Sequence, residues 1–469
     1  MFPAGYTSAG KLLKKCNDMK KLISTFILAI LSSICMGQII INRDPGISKM
    51  ADSISAKRIE QHVRKLVSFH TRHNLSDQTN PAQGIGAAWN WVKSEMEASI
   101  PVSGGRLDVK FEEYTVGAKG QRITEPVKLK NVIATLKGTD PGDDRVIVVS
   151  AHLDSRASLI NDNTSFAPGA NDDGSGVAAI LELVKIMSSE KFPATIIFMA
   201  LSGEEHGSYG AEYMAEKAKQ ESSNIIALLN NDMIGNTGSS ETLLDNNMRV
   251  RVFSEGVPTF ETDEMAAVRK STSGENDSRS RQLARYIKET GERYIDQINV
   301  TLVFRIDRFG RGGDHTPFSQ RGFTAVRICE FDENYDRTHK VPGVENGVQL
   351  GDLPENVNYE YVRKNTGINL ATIANLARAP YAPSNCVLIT GSLTNKTTLR
   401  WETPAKGVKP AGYYILMRET YQPLWEKKIL VTTNEVTLPY SKDNYFFAVQ
   451  SVDAAGHESL AVFPGQARK

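Results

Sequence analysis

Residues 168–183 read "PGANDDGSGVAAILEL": a glycine-rich turn carries two adjacent carboxylates, Asp172 and Asp173, and runs straight into an apolar pattern. Val177, Ile180, Leu181, Val184 and Met187 recur at helical spacing, which predicts a helix with an apolar face against a core. An acid ahead of a helix caps its unpaired N–H groups and suits its dipole. One cap needs only one acid, so the second carboxylate asks for a further role.

Working outward, "RVIVVSAH" (145–152), "TIIFMAL" (195–201), "IIALLN" (225–230), "VRVFSEG" (250–256), "NVTLVFRI" (299–306) and "TAVRICE" (324–330) are short aliphatic runs bounded by Gly, Asn, Asp or Pro. They predict strands. Amphipathic segments such as "SRSRQLARYIKETGERYI" (278–295) alternate with them. From about Asp52 to Pro380 the expectation is an α/β domain, with a mixed, largely parallel central sheet flanked by helices. The polar stretch from Gly238 to Ser280 has weak periodicity outside its strand and predicts a loop near the substrate.

At "ARAPYAPSNC" (377–386) two prolines mark a linker, and the texture changes. "TTLRWETP", "GYYILMRE", "KKILVTT", "NEVTLP" and "NYFFAVQSV" are short strand patterns separated by turn residues, as in an all-β sandwich of about ninety residues. With Trp401 on an early strand and Tyr445 ahead of "FFAVQSV", this part resembles a fibronectin type III domain. It carries no catalytic constellation, and its expected role is adhesion, spacing or substrate docking, removable with the activity of the α/β part largely intact.

The 469 residues are 40% apolar and 23% charged, with a net charge of +1. That profile is globular and offers no electrostatic footprint for nucleic acid. Near the start, "MKKLISTFILAILSSICMGQ" (19–38) pairs two lysines with an apolar run from Leu22 to Ile34. The run is shorter than the roughly 20 residues of a membrane span, so it predicts an export signal cleaved after Gly37 and no lasting membrane insertion. The bulky Ile34 before Cys35 argues against lipidation, and the residues ahead of Met19 fit no targeting pattern. The expected organisation is therefore an upstream segment and signal (1–37), a catalytic domain (38–380) and the sandwich (381–469), with export to the periplasm or medium. Cys329 and Cys386, the cysteines beyond the signal, give no disulfide framework and are expected to be free thiols.

Five acid or histidine clusters fall at or after strand ends, where open α/β sheets bind ligands. "SAHLDS" puts His152 and Asp154 on one strand face, an arrangement that serves a hydrogen-bonded sheet-edge histidine as well as a metal ligand. Glu204 and Glu205 in "LSGEEHGSYG" follow a buried strand, and adjacent acids there raise one another's pKa unless a cation intervenes. Asp172 with Asp173, Asp232 in "LLNNDMIGN", and Asp314 with His315 in "FGRGGDHTPF" complete the inventory. Histidine nitrogen and carboxylate oxygen suit zinc. Two histidines and several carboxylates exceed the needs of one ion and suit a pair about 3.5–4 Å apart.

In this order and spacing, "HLD", "GANDDGSG", "GEEHGSYG", "NNDMIG" and "GGDHTPF" resemble the two-zinc family of secreted bacterial leucyl-type aminopeptidases, over roughly the α/β portion. The resemblance implies two Zn2+ per chain bridged by Asp172, with Glu205 and His315 completing one site and His152 and Asp232 the other. It further implies Glu204 as general base and acid, Asp154 orienting His152, and Asp173 supporting Asp172, often through a strained peptide bond between the two. The implied substrates are peptides or proteins with a free N-terminus. Where family members tend to show Tyr-His-Thr and then an acid, this chain reads "ENYDRTHKVPGVENG" (333–347). That departure bears on the substrate pocket, which Tyr335 and His339 are candidates to line. Glutaminyl cyclases share the fold but lack an acid where this chain has Asp173, and two-zinc carboxypeptidases or dipeptidases usually carry an inserted domain not visible here. Non-catalytic relatives lose ligands, which this chain keeps.

Overall fold

The computed structural model describes residues 43–467 apart from Gln121; the expected export signal and the segment ahead of Met19 lie outside them. Among the described residues no helix is long and apolar enough to cross a membrane.

Eight strands form one mixed sheet: β1 (Leu107–Val116), β2 (Val127–Leu136), β3 (Arg145–His152), β4 (Thr195–Leu201), β5 (Asn224–Asn231), β6 (Arg249–Ser254), β7 (Asn299–Val303) and β8 (Ala325–Glu330). Their order is β1-β2-β4-β3-β5-β8-β6-β7. The central four, β4-β3-β5-β8, are mutually parallel, whereas β1, β2 and β6 bring antiparallel pairings. Parallel strands are covered on both faces and read as continuous apolar runs, which is why β3, β4, β5 and β8 stand out in the sequence. β1 shows a buried–exposed alternation instead, the mark of a sheet margin with one wet face.

The helix Gly174–Met187 starts where the DD turn predicts, and Val177, Ile180, Leu181, Val184 and Met187 are all buried. Burial of each large aliphatic side chain contributes roughly 1.5–3 kcal/mol. Its one inward acid, Glu182, is wholly buried and paired with Arg58. The stretch 238–280 holds β6 and a helix, Asp263–Thr272, none of whose residues is buried.

The helix Tyr359–Arg378 closes the α/β portion, and strands begin again at Ser384. Seven strands then form two sheets, of four and three strands, around a core that includes Trp401 edge-on to Tyr413. Cys329 and Cys386 are free and buried.

The α/β part and the sandwich share buried charge. Asp277, at the start of the helix Arg279–Tyr294, accepts hydrogen bonds from Arg285 (3.1 Å) and from Arg418 of the sandwich (2.6 Å). Glu458 of the sandwich is 1% exposed and pairs with Arg293 (2.8 Å) and Asn375 (3.0 Å). Cutting after Pro380 would break the Asp277–Arg418 and Arg293–Glu458 pairs and expose the groups that remain, with Asp277 still held by Arg285 and Arg293 by Glu289.

Candidate metal centre

The C-terminal ends of β3, β4, β5 and β8 converge at one edge of the sheet, and the functional side chains come from the residues just past them. His152 ends β3, Glu204 and Glu205 follow β4, and Asp232 follows β5. The turn out of β4 depends on Gly203, whose φ of 89° lies in the left-handed region; a side chain there would be strained and would press on Tyr209.

Two sets of donors share Asp172. His152, Asp172 and Asp232 each offer one ligand atom, all within 4.8 Å of one another, and so do Asp172, Glu205 and His339. His152 Nε2 lies 3.1 Å from Asp172 Oδ1, and His339 Nε2 lies 2.9 Å from Asp172 Oδ2 and 3.0 Å from Glu205 Oε2. The two oxygens of one carboxylate therefore face two different imidazoles. Glu205 Oε1 is buried with no hydrogen-bond partner, an orphaned acceptor of the sort a cation satisfies. Buried imidazole nitrogen and carboxylate oxygen in this proportion fit zinc.

His315 is not brought into either set. It is the first residue of the short helix His315–Gln320, and its Nε2 donates to the Ile306 carbonyl (2.9 Å), with Asp307 3.8 Å off. His339, in the loop after β8 and in a left-handed conformation (φ 58°), stands in the position expected of His315. The physical reason is that the Ile306 carbonyl and Asp307 hold the His315 ring by its Nε2.

The expected supporting residues act through unexpected atoms. His152 Nδ1 donates to the main-chain carbonyl of Asp154 (3.0 Å), while the Asp154 carboxylate lies 3.8 Å away. That carboxylate instead accepts from the N–H groups of Gly203 (2.9 Å), Glu204 (3.2 Å) and Glu205 (3.1 Å), and from Asn74 (2.6 Å). Asp154 thus fixes the turn that carries both glutamates. Asp173 is both helix cap and tie: it accepts from Gly176 of the helix (3.1 Å), from His152 N at the end of β3 (3.1 Å) and from Met233 N beyond β5 (3.2 Å). The peptide bond between Asp172 and Asp173 is cis.

Other contributors carried little or no signal in the sequence. Asp352 accepts from the N–H groups of Asn171 (2.9 Å) and Asp172 (2.7 Å), and burial pushes its carboxyl up to about 7. Arg327, wholly buried on β8, donates to Asp232 Oδ1 (2.8 Å) and Asp307 Oδ2 (3.1 Å). Arg156 donates to Glu205 Oε2 (2.8 Å) and to His339 Nδ1 (2.6 Å). A lone arginine inside the apolar run "TAVRICE" was the one visible hint. Asp314, beside His315, is buried with both oxygens unpartnered, and burial pushes it up to about 7.

No side chain among the described residues pairs with the Glu204 carboxylate, and burial, reinforced by Asp232 and Glu205, holds it well above the usual carboxylate range. A carboxylate held free, with raised basicity and beside two metal-binding sets, is suited to proton transfer. The class defined by this fold and site is that of metal-dependent hydrolases on an α/β sheet.

The chain belongs to peptidase family M28, whose model matches residues 131–346, a span that contains every donor named above. It is 42% identical to a probable zinc metalloprotease of Leptosphaeria maculans, over 89% of this chain and 96% of that protein. A probable zinc metalloprotease of Pyricularia oryzae is 41% identical, over 90% of this chain and 84% of its own length. Both matches are too long to fit within the first 380 residues, so they extend into the sandwich. Among solved structures, the LapA aminopeptidase of Legionella pneumophila is similar in fold, with a TM-score of 0.51 at 20% identity over 74% of this chain and 79% of that one.

Proposed function

We propose that this chain is a two-zinc aminopeptidase that removes N-terminal residues from peptides or proteins after export, with the C-terminal part a fibronectin type III-like sandwich fixed to the catalytic domain. The observation that carries the reading is the sharing of Asp172 between two buried donor sets, with the unpaired Glu204 carboxylate beside them. His152, Asp172 and Asp232 would hold one zinc, and Asp172, Glu205 and His339 the other. When bound, zinc supplies Lewis acidity, polarising the scissile carbonyl and acidifying water.

The chain's own residues do the rest. Glu204 takes the proton of the attacking water and returns it to the departing amine. Asp154 holds the main chain of Glu204 in place through three N–H groups, so the base needs little reorganisation. Asp352 holds the Asp172 main chain, and Asp173 ties the end of β3 to the chain beyond β5. The surrounding carboxylates favour a substrate's cationic α-amine, which supports an exopeptidase over an endopeptidase. The lysines and apolar run at 19–38 support export.

A panel of chromogenic aminoacyl amides, assayed before and after chelation and again with zinc restored, tests the reading. Release from free-amine substrates, abolished by chelator and restored by zinc, is expected. Cleavage only of N-blocked peptides would contradict it, and conversion of N-terminal glutamine to pyroglutamate without hydrolysis would support the cyclase reading instead.

A further inference from the structure

β6 runs antiparallel to β8, so the end of β6 and the start of β8 lie at the sheet edge opposite the metal centre. The chain leaving β6 there walls a cavity of about 400 Å³ with Phe260, Met265 and Val268; Phe323, ahead of β8, and Phe463 and Pro464 of the sandwich complete the apolar lining. A second cavity, of about 410 Å³, lies between the α/β part and the sandwich, lined by Ile226, Leu376, Tyr381, Leu460 and Val462 among others. Arg279 and Phe463 belong to both linings. Volumes of this size, mostly apolar with a few polar groups, are those of small-molecule sites.

Two features of these walls lack a partner. The helix Asp263–Thr272 has no buried residue, and its Met265 and Val268, one turn apart, are 39% and 52% exposed. Its 10 residues are too few to hold a helix in water without tertiary packing, so an apolar occupant supplies the face that this helix is missing. The second feature is Arg279. Water reaches it through the cavities, yet it makes no hydrogen bond or ion pair among the described residues, and the protein around it holds its pKa below the ordinary arginine value with no acid beside it to offset this. The other charged groups of the walls are engaged. Asp277 is held by Arg285 and Arg418, Glu261 by Arg269, and Arg145 by Asp143. Glu255 accepts from the Thr259 N–H, and the exposed Glu264 bonds to Thr262 and its own N–H. One uncommitted guanidinium beside an apolar wall complements a carboxylate carried on an apolar chain.

We propose that this cavity is a binding site for a free fatty acid, with the carboxylate on Arg279 and the hydrocarbon chain against Met265, Val268, Phe323 and Phe463. The bound acid covers the outer helix and adds a contact between the α/β part and the sandwich. A protein C-terminus ending in an apolar residue carries the same two groups, but its peptide N–H and C=O groups would also need partners that an apolar wall does not give. The site is separate from the metal centre and does not depend on the two-zinc reading.

Calorimetric titration of the full chain with dodecanoate, below its micelle concentration, tests this. One dodecanoate per chain is expected. Arg279→Gln, which removes no hydrogen bond or ion pair of the native chain, should weaken binding about tenfold or more, with Arg279→Lys between. Val268→Asp, at an exposed position, should weaken it comparably by setting a carboxylate in the apolar wall. Amide hydrogen exchange over residues 263–272 should slow when dodecanoate binds the unsubstituted chain, and not in Arg279→Gln at the same concentration. No saturable uptake of dodecanoate, or uptake that neither Arg279→Gln nor Val268→Asp changes, would overturn the proposal. Tighter binding of a short peptide with a C-terminal leucine, lost in Arg279→Gln, would overturn the fatty acid as the occupant.

Discussion

Replacing Asp277 by Ala probes the joint between the two parts of the chain. Its carboxylate is 1% exposed and lies between two guanidiniums that are 4% and 2% exposed, Arg285 and Arg418. Three hydrogen bonds are lost with it, from Gln282 (3.0 Å), Arg285 (3.1 Å) and Arg418 (2.6 Å). Breaking a buried ion pair by removing one partner costs ~3–5 kcal/mol. The arginines keep carbonyl acceptors at Pro423, Asn276 and Gln422, which offset part of their uncompensated charge, so the lower end, ~3 kcal/mol, is expected. Urea unfolding of the full chain followed by tryptophan fluorescence reads this directly, because Trp89 and Trp91 report on the α/β part and Trp401 and Trp425 on the sandwich. One cooperative transition should move to lower denaturant. A loss below ~1 kcal/mol, the range of an exposed pair, or a sandwich that melts by itself while the α/β transition stays put, would refute the reasoning.

Glu204→Gln should retain its zinc by elemental analysis yet lose turnover by ~10²–10⁴-fold, the usual contribution of a general acid–base group; retained activity would remove Glu204 from the proton-transfer role. Asp154→Ala should lower both stability and turnover, since three N–H groups of the Gly203–Glu205 turn and Asn74 lose their acceptor, and a variant with unchanged kcat would deny that this turn needs holding. At the joint, burial opposes charging of His457, but hydrogen bonds to Asp453 and Asp44 outweigh it and raise its pKa above the ordinary 6.5. Burial likewise opposes ionisation of Asp44 and Asp453, and their partners, His457 foremost, lower both below 3.8. The histidine's contribution is full below 6.5 and is lost as pH rises through its raised value; the carboxylates' is full above 3.8 and is lost as pH falls through their lowered values. The destabilisation caused by His457→Gln should therefore be largest between 3.8 and 6.5 and shrink at alkaline pH. A pH-independent difference in urea midpoint would contradict the linkage.

The parallel strands and the helix after the DD turn were legible because burial on both faces leaves an uninterrupted apolar run. β1, which alternates buried and exposed residues at the sheet margin, and β2, buried along most of its length but interrupted by Lys128 and Lys130, went unread. Within the centre, His152, Asp172, Glu205 and Asp232, expected from short motifs at strand ends, are brought together by the structure, with Glu204 next to Glu205 after β4. His339 was not assigned as a donor because its motif is rearranged and its loop reaches the site only through the tertiary fold; His315, next to an acid in a glycine-rich loop, was the more visible histidine. Asp352 and Arg156 act at the site from segments whose composition is ordinary for loops. Asp154 shows the limit of period-two reasoning, which placed it beside His152 but not under the glutamate turn.

The central claim is that Asp172 is the carboxylate common to two metals, with His339 as the outer histidine. Anomalous diffraction at the zinc edge on crystals of the zinc-loaded chain tests it most directly. Two peaks are expected, one among His152, Asp172 and Asp232 and the other among Asp172, Glu205 and His339. A single peak, or a second peak ligated by His315 with His339 left out, would contradict the account.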